Sequence, residues 1–334
     1  MPDRLALRIL QNRAGLVPRP SWCTFTPRAE GVTELPPEQL REVFACLGEL
    51  DLVRLAGSEP LERADLDEVA EVILEASRPR ILHLWTSGQL PERAEDFARG
   101  LSRGRRLRVL VELPKNPTRT GSFEAHRRFA LALETLERLR VVARDRAFKV
   151  GALARLHPDS TAAEVQRLRM RVEALGVSFH STAGAVGPEA ELPRAESLSE
   201  RVTEALAYVD GRSGRWARMG ERYFLEGTAQ RLAGQRRLQP RCTSLRSHVR
   251  LGPDGRVPVC GHLSGSVGSL AEGRFDDVWF GPEAERARQR VDGCSGCWDP
   301  EEVLPSALYS GDIVRARRRE RRPDGGAGRR RARG

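Results

Sequence analysis

Short apolar runs alternate with amphipathic stretches through the first 180 residues, and this alternation limits the folds open to the chain more than any other feature. The runs Leu5 to Leu10, Leu52 to Leu55, Ile81 to Trp85, Leu107 to Glu112, Phe148 to Leu156 and Val177 to His180 predict six strands. Between them, Pro37 to Leu50, Asp65 to Ala76, Pro91 to Ser102, Phe123 to Leu139 and Ala162 to Leu175 repeat apolar residues at helical spacing and predict five helices. Pro36-Pro37 ahead of Glu38, and Ser160-Thr161 ahead of Ala162, are helix-start signals. Strands separated by helices lie side by side in parallel, so the expected class is α/β with a parallel sheet, open or closed.

The texture changes after Thr182 to Gly, Pro and Glu with little periodicity, and a helix at Leu198 to Val209 leads into a second region. The expected layout is residues 1–190, a helical connection over 191–241, a cysteine-bearing region over 242–314 and a tail over 315–334. Composition supports a packed body, with 40% hydrophobic residues in 334. The net charge of +10 is unevenly placed. Residues 315–334 hold ten arginines against Glu320 and Asp324, so the tail carries +8 and the rest of the chain about +2. A basic, Gly-rich tail cannot bury enough apolar surface to fold, and a near-neutral body argues against specific nucleic-acid recognition. Arg or Glu interrupts every apolar segment, which excludes a membrane span, and the sparse cysteines and the lack of an apolar leader at Met1 to Leu10 place the protein in the cytoplasm.

Four of the six cysteines lie in the second region. Cys242 is followed by 17 residues and Cys260, and Cys294 and Cys297 form a C-x2-C pair 33 residues further on. Thiolates arriving as two half-sites, one on a turn through Ser295-Gly296, suit a tetrahedral zinc ion or the corners of an iron-sulfur cluster. Between the first two, Val249 to Leu251, Pro253-Asp254-Gly255 and Val257 to Val259 read as a hairpin ending on a ligand. Val267 to Leu270 and Phe275 to Trp279 then precede a short helix and the C-x2-C pair. His248 and His262 stand near the ligands and are expected beside them rather than among them.

This arrangement over residues 242–300 resembles the SPASM or twitch extension of radical S-adenosylmethionine (SAM) proteins. The resemblance implies one auxiliary 4Fe-4S cluster on Cys242, Cys260, Cys294 and Cys297, as in the shorter twitch form, with zinc as the alternative. The front half is similar to the same family. Gly57-Ser58-Glu59-Pro60, at the end of the second strand, resembles its Gly-Gly-Glu-Pro segment, which holds the amino group of SAM. Thr86-Ser87-Gly88 resembles its Thr-Asn-Gly, and Gly121-Ser122-Phe123 its Gly-Ser-Phe. The implied architecture is a partial (β/α)6 barrel with a small C-terminal hairpin-helix domain, ligands sitting at the C-terminal strand ends.

One departure separates this chain from the family's enzymes. They carry C-x3-C-x2-C after the first strand, and the best alignment here puts Ala14, Pro18 and Ser21 where those cysteines belong. Cys23 supplies one thiolate at most, and Cys46 falls on the apolar side of the Pro37 to Leu50 helix. No side chain replaces the low-potential electron that cleaves SAM, so no catalytic residue is assigned. Glu112 and Lys115 at a strand end read as solvated, and His83 and His180 as lining the core or the barrel. The expected role is a degenerate member, a pseudoenzyme acting as a binding or partner subunit. Its partner would be a peptide, a small metabolite or an intact radical SAM enzyme. The alternatives are a SAM-binding enzyme, non-radical or with unusual cluster ligation, and a zinc-stabilised binding module.

Overall fold

The computed structural model describes residues 2–14, 16–101, 106–115, 122–156, 161–183, 196–211, 215–233 and 240–320. Its first element departs from the strand expected at Leu5 to Leu10. That run lies in helix α1 (Pro2–Arg13), and the first strand is β1 (Trp22–Phe25). The physical reason is the side-chain period. Leu5, Ile9 and Asn12 turn inward at helical spacing while Leu7 and Leu10 stay exposed, and Leu, Ala and Arg are strong helix formers.

From β1 onward the alternation is as expected: α2 (Pro37–Leu47), β2 (Leu52–Leu55), α3 (Leu66–Ala76), β3 (Ile81–Thr86), α4 (Pro91–Gly100), β4 (Leu107–Leu113), α5 (Phe123–Arg146), β5 (Lys149–Leu156), α6 (Ala162–Ala174) and β6 (Ser178–Ala183). Ser122 caps α5 by accepting from Ala125 N, and Thr161 and Glu164 form a reciprocal capping box on α6. Gly121 lies outside the described residues.

The main sheet holds seven strands in the order β6-β5-β4-β3-β2-β1-β7, every neighbouring pair parallel. The seventh, β7 (His248–Leu251), is the arm that the sequence pattern assigns to a hairpin. It lies beside β1 in the register Trp22↔His248 and Thr24↔Arg250. The turn at Gly252 to Gly255 forms as expected, with Gly252 N donating to Arg256 O at 2.8 Å. It leads to β8 (Arg256–Pro258), which pairs antiparallel with β9 (Ser266–Ser269) in a separate two-stranded sheet. The two arms of the turn therefore belong to different sheets, and the C-terminal region is fastened to the barrel by backbone hydrogen bonds.

Alternate strand residues face opposite ways. Cys23, Phe25, Val53, Leu55, Leu82, Leu84, Val109 and Val111 are buried in one core under the helices. The opposite face, lining the curve of the sheet, carries Trp22, Arg54, His83, Trp85, Arg108, Leu110 and Glu112. A parallel sheet covered on both faces normally reads as continuous apolar runs, and this inner face departs from that by its polar residues.

Helices α7 (Glu196–Gly211) and α8 (Arg215–Leu232) pack on the β6 end, where Leu156, Leu198, Val202 and Leu225 share a buried cluster. Helices α9 (Phe275–Phe280), α10 (Pro282–Asp292), α11 (Pro300–Tyr309) and α12 (Asp312–Glu320) complete the fold. The expected tail thus begins inside α12, and residues 321–334 lie outside the described residues. Among the described residues no helix is long and apolar enough to cross a membrane.

Candidate functional site

Cys242 precedes β7, Cys260 follows β8, and Cys294 and Cys297 follow α10, yet all four thiols line one cavity of about 530 Å³. Gly296, at φ +85°, makes the turn between the last two. None of the four is in a disulfide. Backbone N–H groups point at two of the sulfurs: His262 N and Leu263 N lie 3.3 and 3.1 Å from Cys260 Sγ, and Gly296 N lies 3.3 Å from Cys294 Sγ. Burial, then the charge of Glu302, pushes the Cys242 thiol up to about 12, and burial raises Cys260 and Cys297 as well. Four thiols around one cavity, three of them with ionisation disfavoured by burial and two with donors already aimed at sulfur, fit a group that brings its own positive charge. Among the described residues no three His, Cys, Asp or Glu side chains are set to hold a single metal ion. The four thiols line the wall of the cavity.

The two nearby histidines are held by carboxylates. His262 Nε2 is 2.9 Å from Asp299 Oδ2, and His248 Nε2 is 2.8 Å from Glu302 Oε2. Burial works against the Glu302 carboxylate, but the hydrogen bond with His248 and the charges of His248 and Arg250 hold its carboxyl well below the usual range. Arg250 bridges two consecutive residues of α11, donating to Glu302 Oε1 and Glu301 Oε2 at 2.6 Å each. Glu302 lines the thiol cavity and Glu301 lines a second cavity, at the mouth of the barrel.

That second cavity, about 610 Å³, is lined by Gly57, Ser58, Glu59, Thr86 and Ser87. The two segments picked out in sequence are thus brought together at the C-terminal ends of β2 and β3, with Pro60 and Gly88 just behind them. The Glu59 carboxylate is already engaged. It accepts from Thr86 Oγ1 at 2.9 and 3.0 Å, Ser87 N at 2.8 Å, Leu61 N at 3.2 Å and Ser87 Oγ. Glu59 therefore latches the β2 and β3 ends to each other. Gly57 sits at φ +130°, and a Cβ there would lie 2.7 Å from the Thr26 methyl. Glu112 and Lys115 line the same cavity, Glu112 paired with Arg155 at 2.9 Å. His180 is 2.9 Å from Glu221.

With β1 at Trp22–Phe25, Ala14, Pro18 and Ser21 lie before the first strand and not after it, which corrects the alignment made from sequence. The segment that does follow β1, residues 26–36, contains no cysteine. Arg63 holds it in place. This guanidinium, 1% exposed, donates to Pro27 O at 2.9 Å, to Leu35 O at 2.6 Å and to both oxygens of Asp65. Leu35 N in turn donates to Pro253 O in the turn after β7. Cys23 faces the helix-side core, where burial raises its thiol, and so does not open toward the barrel interior. Cys46 is exposed, contrary to its expected apolar placement, because Val43, Phe44 and Leu47 carry the inward face of α2. Sequence reasoning missed Arg63, Arg250 and Glu301-Glu302. The only signal for the last pair is an Asp-Pro-Glu-Glu helix start at Asp299, and nothing marks the arginines in a chain so rich in them.

Residues 242–298 match the family model of the SPASM iron-sulfur cluster-binding domain. No curated protein matches the chain. Among solved structures, native anSMEcpe with bound AdoMet and Cp18Cys peptide aligns at TM-score 0.56 and 12% identity, covering 90% of this chain and 100% of that one. Native anSMEcpe with bound AdoMet aligns at the same score, identity and coverage. The form with AdoMet and Kp18Cys peptide aligns at TM-score 0.56 and 11% identity, over 90% and 98%. At such identities the likeness is one of fold. The chain shares the overall fold of these anSMEcpe structures, and its residues 242–298 match the SPASM iron-sulfur cluster-binding domain.

Proposed function

We propose that this protein is a degenerate radical SAM/SPASM-type protein that keeps one auxiliary 4Fe-4S site, lacks the catalytic cluster and acts as a binding or partner subunit in peptide or metabolite maturation. The observation that carries this reading is the segment after β1. Residues 26–36 offer no thiol, and Arg63 fills the ordering role with a buried guanidinium. Cys242, Cys260, Cys294 and Cys297 would hold the auxiliary cluster, with the N–H groups of His262, Leu263 and Gly296 setting the charge on its sulfur ligands. Bound there, it would supply one-electron transfer. The barrel mouth is the place for a peptide or small metabolite, and the AdoMet and peptide present in the structures of similar fold support that use of the cavity.

Anaerobic purification, with iron, sulfide and zinc measured per chain and the reduced EPR spectrum recorded with and without SAM, tests the proposal. Iron and sulfide for one cluster, lost in Cys294→Ala and Cys297→Ala, with a spectrum indifferent to SAM, is the expected result. Iron for two clusters, or a spectrum that SAM perturbs, overturns it. Zinc alone makes the quartet a structural clip. A second reading, a SAM-binding protein without radical chemistry, is favoured by the meeting of Gly57-Ser58 and Thr86-Ser87 at one cavity. It predicts a Tm that rises with SAM, by an amount equivalent to about 2.7 kcal/mol at a hundredfold excess over Kd.

A further inference from the structure

The inner face of the barrel holds hydrogen-bond donors with nothing to accept them. Arg54, on β2, is 2% exposed, and its Nε and Nη1 have no hydrogen-bond partner. Its guanidinium lies between two indoles, 4.3 Å from the Trp85 ring centroid and 5.1 Å from that of Trp22. Trp22 Nε1 is likewise buried and without a partner, whereas Trp85 Nε1 is taken up by His83 Nε2 at 3.0 Å. Three buried donor nitrogens from two residues of the same stack therefore lack an acceptor. Their neighbours across the sheet supply none. Thr24, His83 and Arg108 stand in register with Arg54 along β1, β3 and β4, so the row offers it no carboxylate.

The carboxylates that act on Arg54 through space are already committed. Glu301 and Glu302 are bound to Arg250, and Asp299 to His262. Burial lowers the Arg54 guanidinium to about 10, against the opposing through-space pull of Glu301, Asp299 and Glu302. An unpaired buried charge costs several kcal/mol, so folds retain one where a ligand completes it. Trp85 covers the guanidinium and also lines the 610 Å³ cavity, which places Arg54 one indole's thickness from the space where a ligand enters.

We propose that the floor of the barrel between Trp22 and Trp85 receives the anionic group, a carboxylate or a phosphate, of the molecule that occupies the barrel cavity. This rests on the reading of the barrel as a binding site and not on the identity of the metal group. The anion accepts from a free N–H of the Arg54 guanidinium and from Trp22 Nε1, with Trp85 shifting aside to admit it. The guanidinium holds its N–H groups in fixed directions, which a lysine would not.

The test titrates the full-length protein with inorganic phosphate and with acetate, against chloride at matched ionic strength, reading tryptophan fluorescence and Tm. Wild type is expected to show a saturable fluorescence change and a rise of a few degrees with at least one of the two anions. A response to acetate alone assigns a carboxylate ligand, and to phosphate alone a phosphoryl ligand. Arg54→Met is expected to lose the response while melting no lower than wild type in chloride, since it deletes an uncompensated charge. Should Arg54→Met not fold, Arg54→Lys keeps the charge and is expected to weaken binding at least tenfold. A wild type indifferent to both anions, or an Arg54 variant with an unchanged response, overturns the proposal. Iron and sulfide measured on the same samples, and Tm with SAM, separate the failures. One cluster or a SAM response without an anion response sinks the anion site alone.

Discussion

Arg63 and Arg54 are both buried, at 1% and 2% exposure, and Arg63 is the one whose hydrogen bonds are made to backbone carbonyls and a carboxylate. Removing Arg63 strands the carbonyls of Pro27 and Leu35. Arg63→Met is therefore expected to lower unfolding stability by about 2–4 kcal/mol in urea titration and to open residues 26–36 to protease. A second residue-scale outcome concerns pH. Burial, with Arg54, His180 and Arg108 adding repulsion, holds His83 well below its usual 6.5. The folded chain then binds fewer protons than the unfolded one below about pH 6.5, so stability is full above that value and falls as the pH drops beneath it. The expected slope is about 1.4 kcal/mol per pH unit, absent in His83→Gln, as read from urea midpoints at pH 5.0 to 7.5. The thiol quartet was legible because spacing and turn glycines announce it. Arg54 was partly legible as a charge inside the run Leu52-Val53-Arg54-Leu55, but its lack of partners is a fact of three dimensions.

At the scale of elements, helices announced themselves through caps and period, as at Thr161 and Glu164. The first strand did not. Trp22–Phe25 is too short to show a period, while Leu5 to Leu10 is apolar enough to mimic a strand although it turns as a helix. The turn after β7 was legible, but the parallel partner of β7 lies more than two hundred residues away, and no local pattern encodes that. Helix α8 carries another long-range constraint. Trp298, fully buried, stacks on Phe224 at 5.5 Å and donates to Thr228 Oγ1 at 3.0 Å, against Gly227. A Cβ at Gly227 would collide with the indole. Gly227→Ala is thus expected to cost about 1–3 kcal/mol by overpacking. Because Trp298 follows Cys297 directly, iron bound per chain is expected to fall together with Tm, and an unchanged iron content would show that the two are independent.

Across the whole molecule, the pairing of β7 with β1 means that the barrel and the cysteine region are not separable units. Strand β1 is flanked by β2 on one side and β7 on the other. Leu35, in the segment after β1, is tied to Pro253, and Arg250 on β7 reaches the two glutamates that line the two cavities. A chain ending at residue 241 would leave β1 as an open edge with unpaired backbone groups, expose Phe25 and Cys23 to the space vacated by Val249 and Leu251, and release the segment after β1 from Pro253. Such a chain is expected to be insoluble or to run as aggregate in size-exclusion chromatography, whereas an intact chain with Cys294→Ala keeps β7 and is expected to stay monodisperse after losing its metal. If residues 1–241 instead gave a monodisperse, cooperatively melting protein, the barrel would stand alone. The ion pairs of Arg250 would then be a contact between two domains and no longer part of one fold.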